Sequence, residues 1–176
     1  MKRNNIKNII KEYFFINPTI KLRVRHIERI LNLPLPSVIR YCKELEKENI
    51  LSTEKISNIT FYKANRSNNI YRLEKKLFNI NLLYKSGLID YIKEKLSNPV
   101  IIVFGSYSRG EDIESSDVDL FIETLSKKEI QLKNFESKIK RKIQIFRHKT
   151  IKDVPNEHLA NNIINGVILN GYIEVF

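Results

Sequence analysis

Two aspartates that stand one residue apart, Asp117 and Asp119, follow a glycine-serine pair, Gly105-Ser106, by about ten residues. Successive side chains of an extended strand alternate between its faces, so both carboxylates would point to the same side. Two such carboxylates repel each other unless a cation lies between them, and magnesium that bridges to substrate phosphates would neutralise both. The spacing therefore predicts that Asp117 and Asp119 are metal ligands with a catalytic role.

The glycine-serine pair comes directly after the apolar run VIIVF, which is typical of a strand buried on both faces. Backbone amides at the start of a helix, with no side chain on Gly105, form a cradle for phosphate. Ser106 adds a hydroxyl, and the guanidinium of Arg109, one turn further on, suits phosphate geometry. Ser116 can fix the turn before the aspartates and completes the predicted nucleotide-binding set.

The segment GSYSRGEDIESSDVDLFIE matches the pattern G-S-x-x-x-G, a short spacer and S-D-x-D-L. It resembles the DNA polymerase beta-like nucleotidyltransferase superfamily, and within it the minimal nucleotidyltransferases, from about Pro99 to the C-terminus. The resemblance implies that the glycine-serine turn binds a nucleoside triphosphate and that Asp117 and Asp119 hold two magnesium ions. It also implies transfer of a nucleoside monophosphate to a hydroxyl acceptor, with pyrophosphate as the leaving group.

The third carboxylate that the resemblance implies is missing from its expected strand. Where the superfamily pattern resembles K-V-D-L, this chain reads RKIQIF, so Gln144 takes the place of the acid. A glutamine oxygen can coordinate a metal, but it has no charge and cannot accept the proton of the attacking hydroxyl. With Gln144 at this position, magnesium and the nucleotide would still be held by Asp117 and Asp119, but a second metal ion would be held more weakly. Glu123 and Asp153 are the alternative sources of a third acid.

Two functions follow from these residues. The preferred prediction is a nucleotidyltransferase that binds magnesium and a nucleoside triphosphate. The alternative, favoured by Gln144, is a catalytically degenerate protein that senses a nucleotide or binds a partner as a transcriptional regulator. Because some minimal nucleotidyltransferases act as antitoxins, the resemblance also implies a toxin-like protein partner.

The basic charge lies in the N-terminal part of the chain. The 176 residues carry a formal net charge of +11. Residues 1–66 contain 14 Lys and Arg against 6 Asp and Glu, whereas residues 99–176 contain 11 of each class. This asymmetry indicates nucleic acid or another acidic surface as the partner of the first part, with a merely solvated basic face as the alternative.

Three helices and a short hairpin are predicted within residues 3–65. Thr19 is expected to cap the second helix, and the segment LPLPS separates it from the third. Two strand-like runs, Ile50–Ser52 and Ile59–Tyr62, are joined by EKISN as a hairpin turn. This order resembles a winged helix-turn-helix domain, which implies binding of duplex DNA.

The predicted DNA contacts lie on the third helix and on the hairpin. A helix in the major groove directs cations toward phosphates and polar tips toward bases. The residues that fit this arrangement are Ser37, Arg40, Tyr41, Lys43, Lys47, Lys55 and Lys63. The interleaved Glu44, Glu46 and Glu48 also fit a solvated helix face, and winged helices serve as protein-interaction modules as well.

The predicted fold class is α+β: a winged helix-turn-helix at residues 1–66, a helical connector at 67–97 and a small α/β nucleotidyltransferase-like domain with a mixed sheet at 98–176. The apolar stripe of the connector comprises Ile70, Leu73, Leu77, Ile80 and Leu83. It fits either a connector or a dimerisation helix, so a homodimer is one expectation. The closing strand is predicted at Tyr172–Phe176.

A membrane partner is not expected, because no run approaches the roughly 20 apolar residues that span a bilayer. The N-terminal segment MKRNNIKNIIKEYF lacks the apolar core of a signal peptide. The sequence therefore predicts a cytoplasmic protein.

Overall fold

A computed structural model describes the backbone of residues 3–174 and the side chains of residues 6–174. The contacts divide the chain into two compact units, Met1–Phe78 and Asn79–Phe176. The boundary falls inside the predicted connector, so the residues of that segment are divided between the two units.

The first unit combines helices with a small antiparallel sheet. Its elements are α1 (Arg3–Ile16), β1 (Lys21–Leu22), α2 (Val24–Leu31), α3 (Leu35–Lys47), β2 (Leu51–Ile56), β3 (Ile59–Ala64) and the first part of α4 (Asn69–Lys85). The strands lie in the order β1-β3-β2, and both pairings are antiparallel. Apolar side chains from α1, α2, α3 and the hairpin form one core, in which Val38, Cys42 and Leu45 of α3 are fully buried.

Two local predictions for this unit were wrong. Helix α2 begins at Val24 with Arg23 at its N-cap, and not after Thr19, because the preceding residues pair with β3 as a short third strand. The turn of the hairpin comprises only Ser57 and Asn58, whose φ angles are 45° and 62°. Positive φ at both turn residues suits a two-residue hairpin loop, so the first part of EKISN extends strand β2.

The predicted apolar stripe of α4 does not face the core in the first unit. Ile70, Leu73 and Leu77 are 49%, 57% and 56% exposed. The face of the helix that packs against the core instead contains Tyr71 and Lys75. Both of these side chains are buried. The ammonium group of Lys75 donates a hydrogen bond to the carbonyl oxygen of Phe15, 2.9 Å away, near the C-terminus of α1. A lysine therefore satisfies a backbone acceptor that the end of a helix leaves free.

Replacing Lys75 with methionine is expected to lower the free energy of unfolding by about 1–3 kcal/mol, because the carbonyl of Phe15 loses its buried donor. Urea denaturation of the variant and of the unchanged chain measures this difference. The matched control is Lys76→Met on the same helix, which should change stability much less. Equal losses from both substitutions would contradict the role assigned to Lys75.

The second unit is built on a four-stranded sheet. Its elements, after the remainder of α4, are α5 (Leu88–Lys95), β4 (Val100–Phe104), α6 (Gly105–Arg109), β5 (Val118–Glu123), α7 (Lys133–Ile139), β6 (Ile143–His148), a 3-10 turn (Ile151–Asp153), α8 (Glu157–Ile164) and β7 (Val167–Asn170). The strand order is β6-β5-β4-β7, with β5 and β6 parallel and the other two pairs antiparallel. The expected α+β class with a mixed sheet is confirmed.

Both faces of this sheet carry a core. Val103, Val118 and Leu120 belong to the larger cluster, whereas Phe104 and Phe121 belong to a smaller cluster that includes Ile163 of α8. The closing strand ends at Asn170, so the prediction of a strand from Tyr172 is wrong for residues 172–174, and residues 175–176 lie outside the described part. Within residues 3–174, no helix combines the length and the apolar character that crossing a membrane requires.

Candidate functional site

The predicted nucleotide and metal residues meet at one end of the sheet, where β4 ends and where β5 and β6 begin. Phe104 pairs with Asp119 across the antiparallel strands, so Gly105 comes immediately beside this carboxylate. The backbone of Gly105 has a φ of +72°, and a Cβ placed on it would lie 2.5 Å from Oδ2 of Asp119. Only glycine fits at this position without a collision, and the chain turns there from β4 directly into α6.

The two aspartates differ in their surroundings. Asp117 is exposed in the turn before β5, and Asp119 is half-buried in the strand. Burial raises the pKa of the Asp119 carboxyl above its usual range, and the neighbouring charge of Asp117 raises it further. Within residues 3–174 neither carboxylate forms an ion pair with a basic side chain. Two neighbouring carboxylates without a cationic partner have the chemistry of a site for a hard cation such as magnesium.

Gln144 lies at the position where the resemblance to the superfamily implied a third acid. In the parallel pairing of β5 and β6 its partner is Asp119, so both side chains project from the same face of the sheet. The two alternative acids form contacts elsewhere: Glu123 accepts a hydrogen bond from the amide of Ile151, and Asp153 caps the 3-10 turn through Thr150. No group of three His, Cys, Asp or Glu residues in the described part of the chain could hold a metal ion.

The remaining predicted nucleotide-binding residues border the same loop. Ser106 lies in the first turn of α6 and is half-buried. The hydroxyl of Ser116 accepts a hydrogen bond from the amide of Ile113, so it shapes the turn before Asp117. Arg109 forms an exposed ion pair of 2.8 Å with Glu111. Such a pair contributes little to stability, so its guanidinium can leave Glu111 for a phosphate at small cost.

A buried polar network, which the sequence analysis missed, holds α6 and the loop that follows it. Asn79 donates hydrogen bonds to the carbonyl of Tyr107 in α6 and to the carboxylate of Asp112. Arg141 forms an ion pair with the other oxygen of Asp112 at 3.2 Å, and both side chains are buried. Asp112 lies within the motif and could have been suspected, but no pattern in the sequence links it to Asn79 or Arg141. The network ties α6 and the following loop to α4 and to the start of β6.

Replacing Gly105 with alanine is expected to disrupt the site, because the new methyl group would collide with Oδ2 of Asp119. Gly87→Ala is a matched control, since Gly87 has a similar φ of +83° and nothing within 4 Å of the added Cβ. Both variants should lose about 1–2 kcal/mol of stability through the left-handed backbone. Only Gly105→Ala should also abolish the predicted nucleotide binding, which isothermal titration calorimetry would measure. Retained binding in Gly105→Ala would contradict the tight approach of turn and carboxylate.

The candidate DNA contacts of the first unit fall into two groups. Three lysines are exposed and form no ion pair with an acid in the described part: Lys43, Lys47 and Lys55. Arg40 instead pairs with Glu44 at 3.2 Å, and Lys63 pairs with Glu54 at 2.7 Å. The hydrogen bonds from Lys63 and Lys21 lower the pKa of Glu54 to about 2.

Two other predicted DNA contacts of the first unit are less exposed to solvent. Ser37 is half-buried near the start of α3. The ring of Tyr41 is 5% exposed and lies 4.3 Å from the guanidinium of Arg40. The predicted DNA contact of Tyr41 is therefore not supported, because α3 turns this residue toward the core.

Residues 85–165 match the family model of the nucleotidyltransferase domain. The matched stretch contains the glycine-serine turn, both aspartates and Gln144. The match supports a nucleotidyltransferase domain within these residues and a function in nucleotidyl transfer.

A second comparison concerns a curated protein, the probable Ras GTPase-activating-like protein ngap of Dictyostelium discoideum. It is 29% identical to this chain over 106 residues, which is 60% of this chain and 11% of that protein. The chain thus spans about a tenth of the length of this relative. No solved structure matches the chain significantly.

Proposed function

We propose that the second unit binds a nucleoside triphosphate with magnesium and transfers its nucleoside monophosphate to a hydroxyl acceptor. The observation that carries this proposal is the approach of Asp119 to Gly105 at the end of the sheet, with Asp117 and Gln144 beside it. The family match over residues 85–165 supports the reaction class.

The roles of the residues follow from their chemistry. Asp117 and Asp119 would hold magnesium, and the amide oxygen of Gln144 is a neutral donor on the same face. Magnesium held there would supply positive charge for the phosphates and for the attacking and leaving oxygens. The backbone of the turn at Gly105 and the hydroxyl of Ser106 would bind phosphate oxygens, and Arg109 would add a positive charge.

The test uses the full chain with magnesium and α-labelled nucleoside triphosphates, alone and with protein, RNA and small hydroxyl acceptors. Label transfer that disappears in Asp117→Asn would support the enzyme. Magnesium-dependent nucleotide binding without transfer to any acceptor, including the chain itself, would favour the second candidate.

The second candidate is a degenerate nucleotidyltransferase that senses a nucleotide or holds a partner protein as an antitoxin-like regulator. Gln144 favours it, because the residue beside Asp119 has no basic oxygen for the proton of the acceptor. The engagement of Glu123 and Asp153 elsewhere favours it as well.

The first unit is proposed to be a winged helix that binds duplex DNA. Its helices α1, α2 and α3, the sheet order β1-β3-β2 and the two-residue turn of the hairpin support this proposal. The exposed Lys43 and Lys47 on α3 and Lys55 on the hairpin would contact DNA phosphates. This part of the proposal predicts an affinity that falls steeply with salt, because condensed counterions are released on binding.

A further inference from the structure

Basic side chains surround a cavity of about 560 Å³ between the start of α2 and the tip of the β2–β3 hairpin. The polar residues that line it are Arg23, Arg25, His26, Arg29, Asn58 and Thr60. We call this feature the arginine cavity. Its lining contains three arginines and a histidine but no acidic side chain, so the cavity has a strongly positive field.

The arginines of the cavity lack the acidic partners that Arg40 and Lys63 have in the same unit. Within the described residues, Arg23, Arg25 and Arg29 form no ion pair. The Nε atom of Arg23 is buried and has no hydrogen-bond acceptor, although its guanidinium lies 5.6 Å from the ring centre of Phe61. No described acid pairs with these three arginines, so an anionic ligand in the cavity would balance their charge.

The geometry points to the arginine cavity as a binding site for the backbone phosphates of duplex DNA. This inference rests on the proposed DNA-binding function of the first unit and adds a contact surface to it. The planar fork of a guanidinium matches phosphate oxygens in a way that an ammonium does not. Arg25 and Arg29 are exposed, so they present their charge outward, as an extended polyanion requires.

The lining of the arginine cavity contains none of the predicted DNA contacts on α3. Lys43 and Lys47 lie on α3, whereas the cavity is formed by the start of α2 and by the turn at Asn58. Phosphate contacts fix the position and register of a protein on DNA, and base contacts provide the specificity. The cavity would therefore contribute affinity and salt dependence, and little sequence preference.

The test measures binding of the full chain to a short labelled duplex by fluorescence anisotropy over a series of salt concentrations. The double variant Arg25→Gln, Arg29→Gln removes two exposed charges and leaves the partly buried Arg23 in place. The matched control, Lys95→Gln with Lys152→Gln, removes two exposed charges from the second unit. Lys43→Gln with Lys47→Gln tests the predicted DNA contacts on α3, and thermal melting verifies that each variant folds.

The arginine double variant should lower the slope of log affinity against log salt by about 2, one for each lost phosphate contact. Its affinity should fall roughly 10- to 100-fold, whereas the Lys95 and Lys152 control should bind like the unchanged chain. Replacing both arginines with lysine should keep most of the salt slope, because the slope depends on the number of phosphates that positive side chains neutralise.

Two outcomes would overturn the inference, and they differ from each other. If the variant at Lys43 and Lys47 loses binding while the variant at Arg25 and Arg29 matches the control, DNA binding stands but the cavity has no part in it. If the unchanged chain does not bind duplex DNA at low salt, the proposed DNA-binding function fails, and the role of the cavity fails with it.

Discussion

Replacing Gln144 with aspartate is expected to raise the rate of nucleotidyl transfer by roughly 100- to 10,000-fold, the range that a positioned general base typically contributes. Gln144 pairs with Asp119 in the parallel register, so the new carboxylate would project from the face that carries the metal ligands. It would supply both a charge for a second metal ion and an acceptor for the proton of the attacking hydroxyl. The measurement is magnesium-dependent release of pyrophosphate, with protein, RNA and glycerol as acceptors.

Gln144→Asn is the matched control, because asparagine has the size of aspartate without its charge. It should show none of the rate increase expected for Gln144→Asp. Gln144 is exposed, so neither substitution is expected to affect folding. Manganese binding followed by electron paramagnetic resonance provides a readout that needs no acceptor, and Gln144→Asp should bind one more ion. Equal rates and equal manganese binding in the two variants would contradict the role assigned to this position.

Replacing Asp119 with asparagine is expected to weaken magnesium binding and nucleotidyl transfer by at least roughly 100-fold. Loss of a residue that only supports a metal ligand costs 10- to 100-fold in affinity or activity, and a ligand itself should cost no less. The half-buried carboxylate lies beside Gly105, and the charge of Asp117 acts on it. Titration with manganese and the initial rate of label transfer measure the two effects.

Asp90→Asn is the control for this substitution, since Asp90 is an exposed aspartate of α5. It should leave metal binding and transfer unchanged. The folded Asp119→Asn protein should be at least as stable as the unchanged chain, because burial and the charge of Asp117 both disfavour the ionised carboxylate. Transfer at an undiminished rate in Asp119→Asn would show that the aspartate pair is not the metal site.

The sequence predicted where the candidate residues lie, at the turn after β4 and at the start of β5, because short-range rules govern these positions. Alternation along one strand placed Asp119 on the sheet face that the site requires, and a glycine after a buried strand predicted the turn. The position of Gln144 followed from the family pattern and agrees with the register of β5 and β6. The sequence also predicted the mixed sheet of the second unit.

The features that the sequence did not predict depend on contacts between residues that lie far apart in the sequence. The apolar stripe of α4 has helical periodicity, yet Ile70, Leu73 and Leu77 are exposed while the buried Lys75 donates to a carbonyl of α1. Periodicity identifies an apolar face but cannot show which neighbour covers it. The arginine cavity likewise requires the pairing of β1 with β3, which brings the start of α2 beside the hairpin turn.

The most direct test of the central claim is calorimetric titration of the full chain with a nucleoside triphosphate, with and without magnesium. We predict binding that requires magnesium in the unchanged chain and that is lost when Asp117 and Asp119 are both replaced with asparagine. Binding that is independent of magnesium, or that persists in the double variant, would contradict a magnesium-nucleotide site at this end of the sheet.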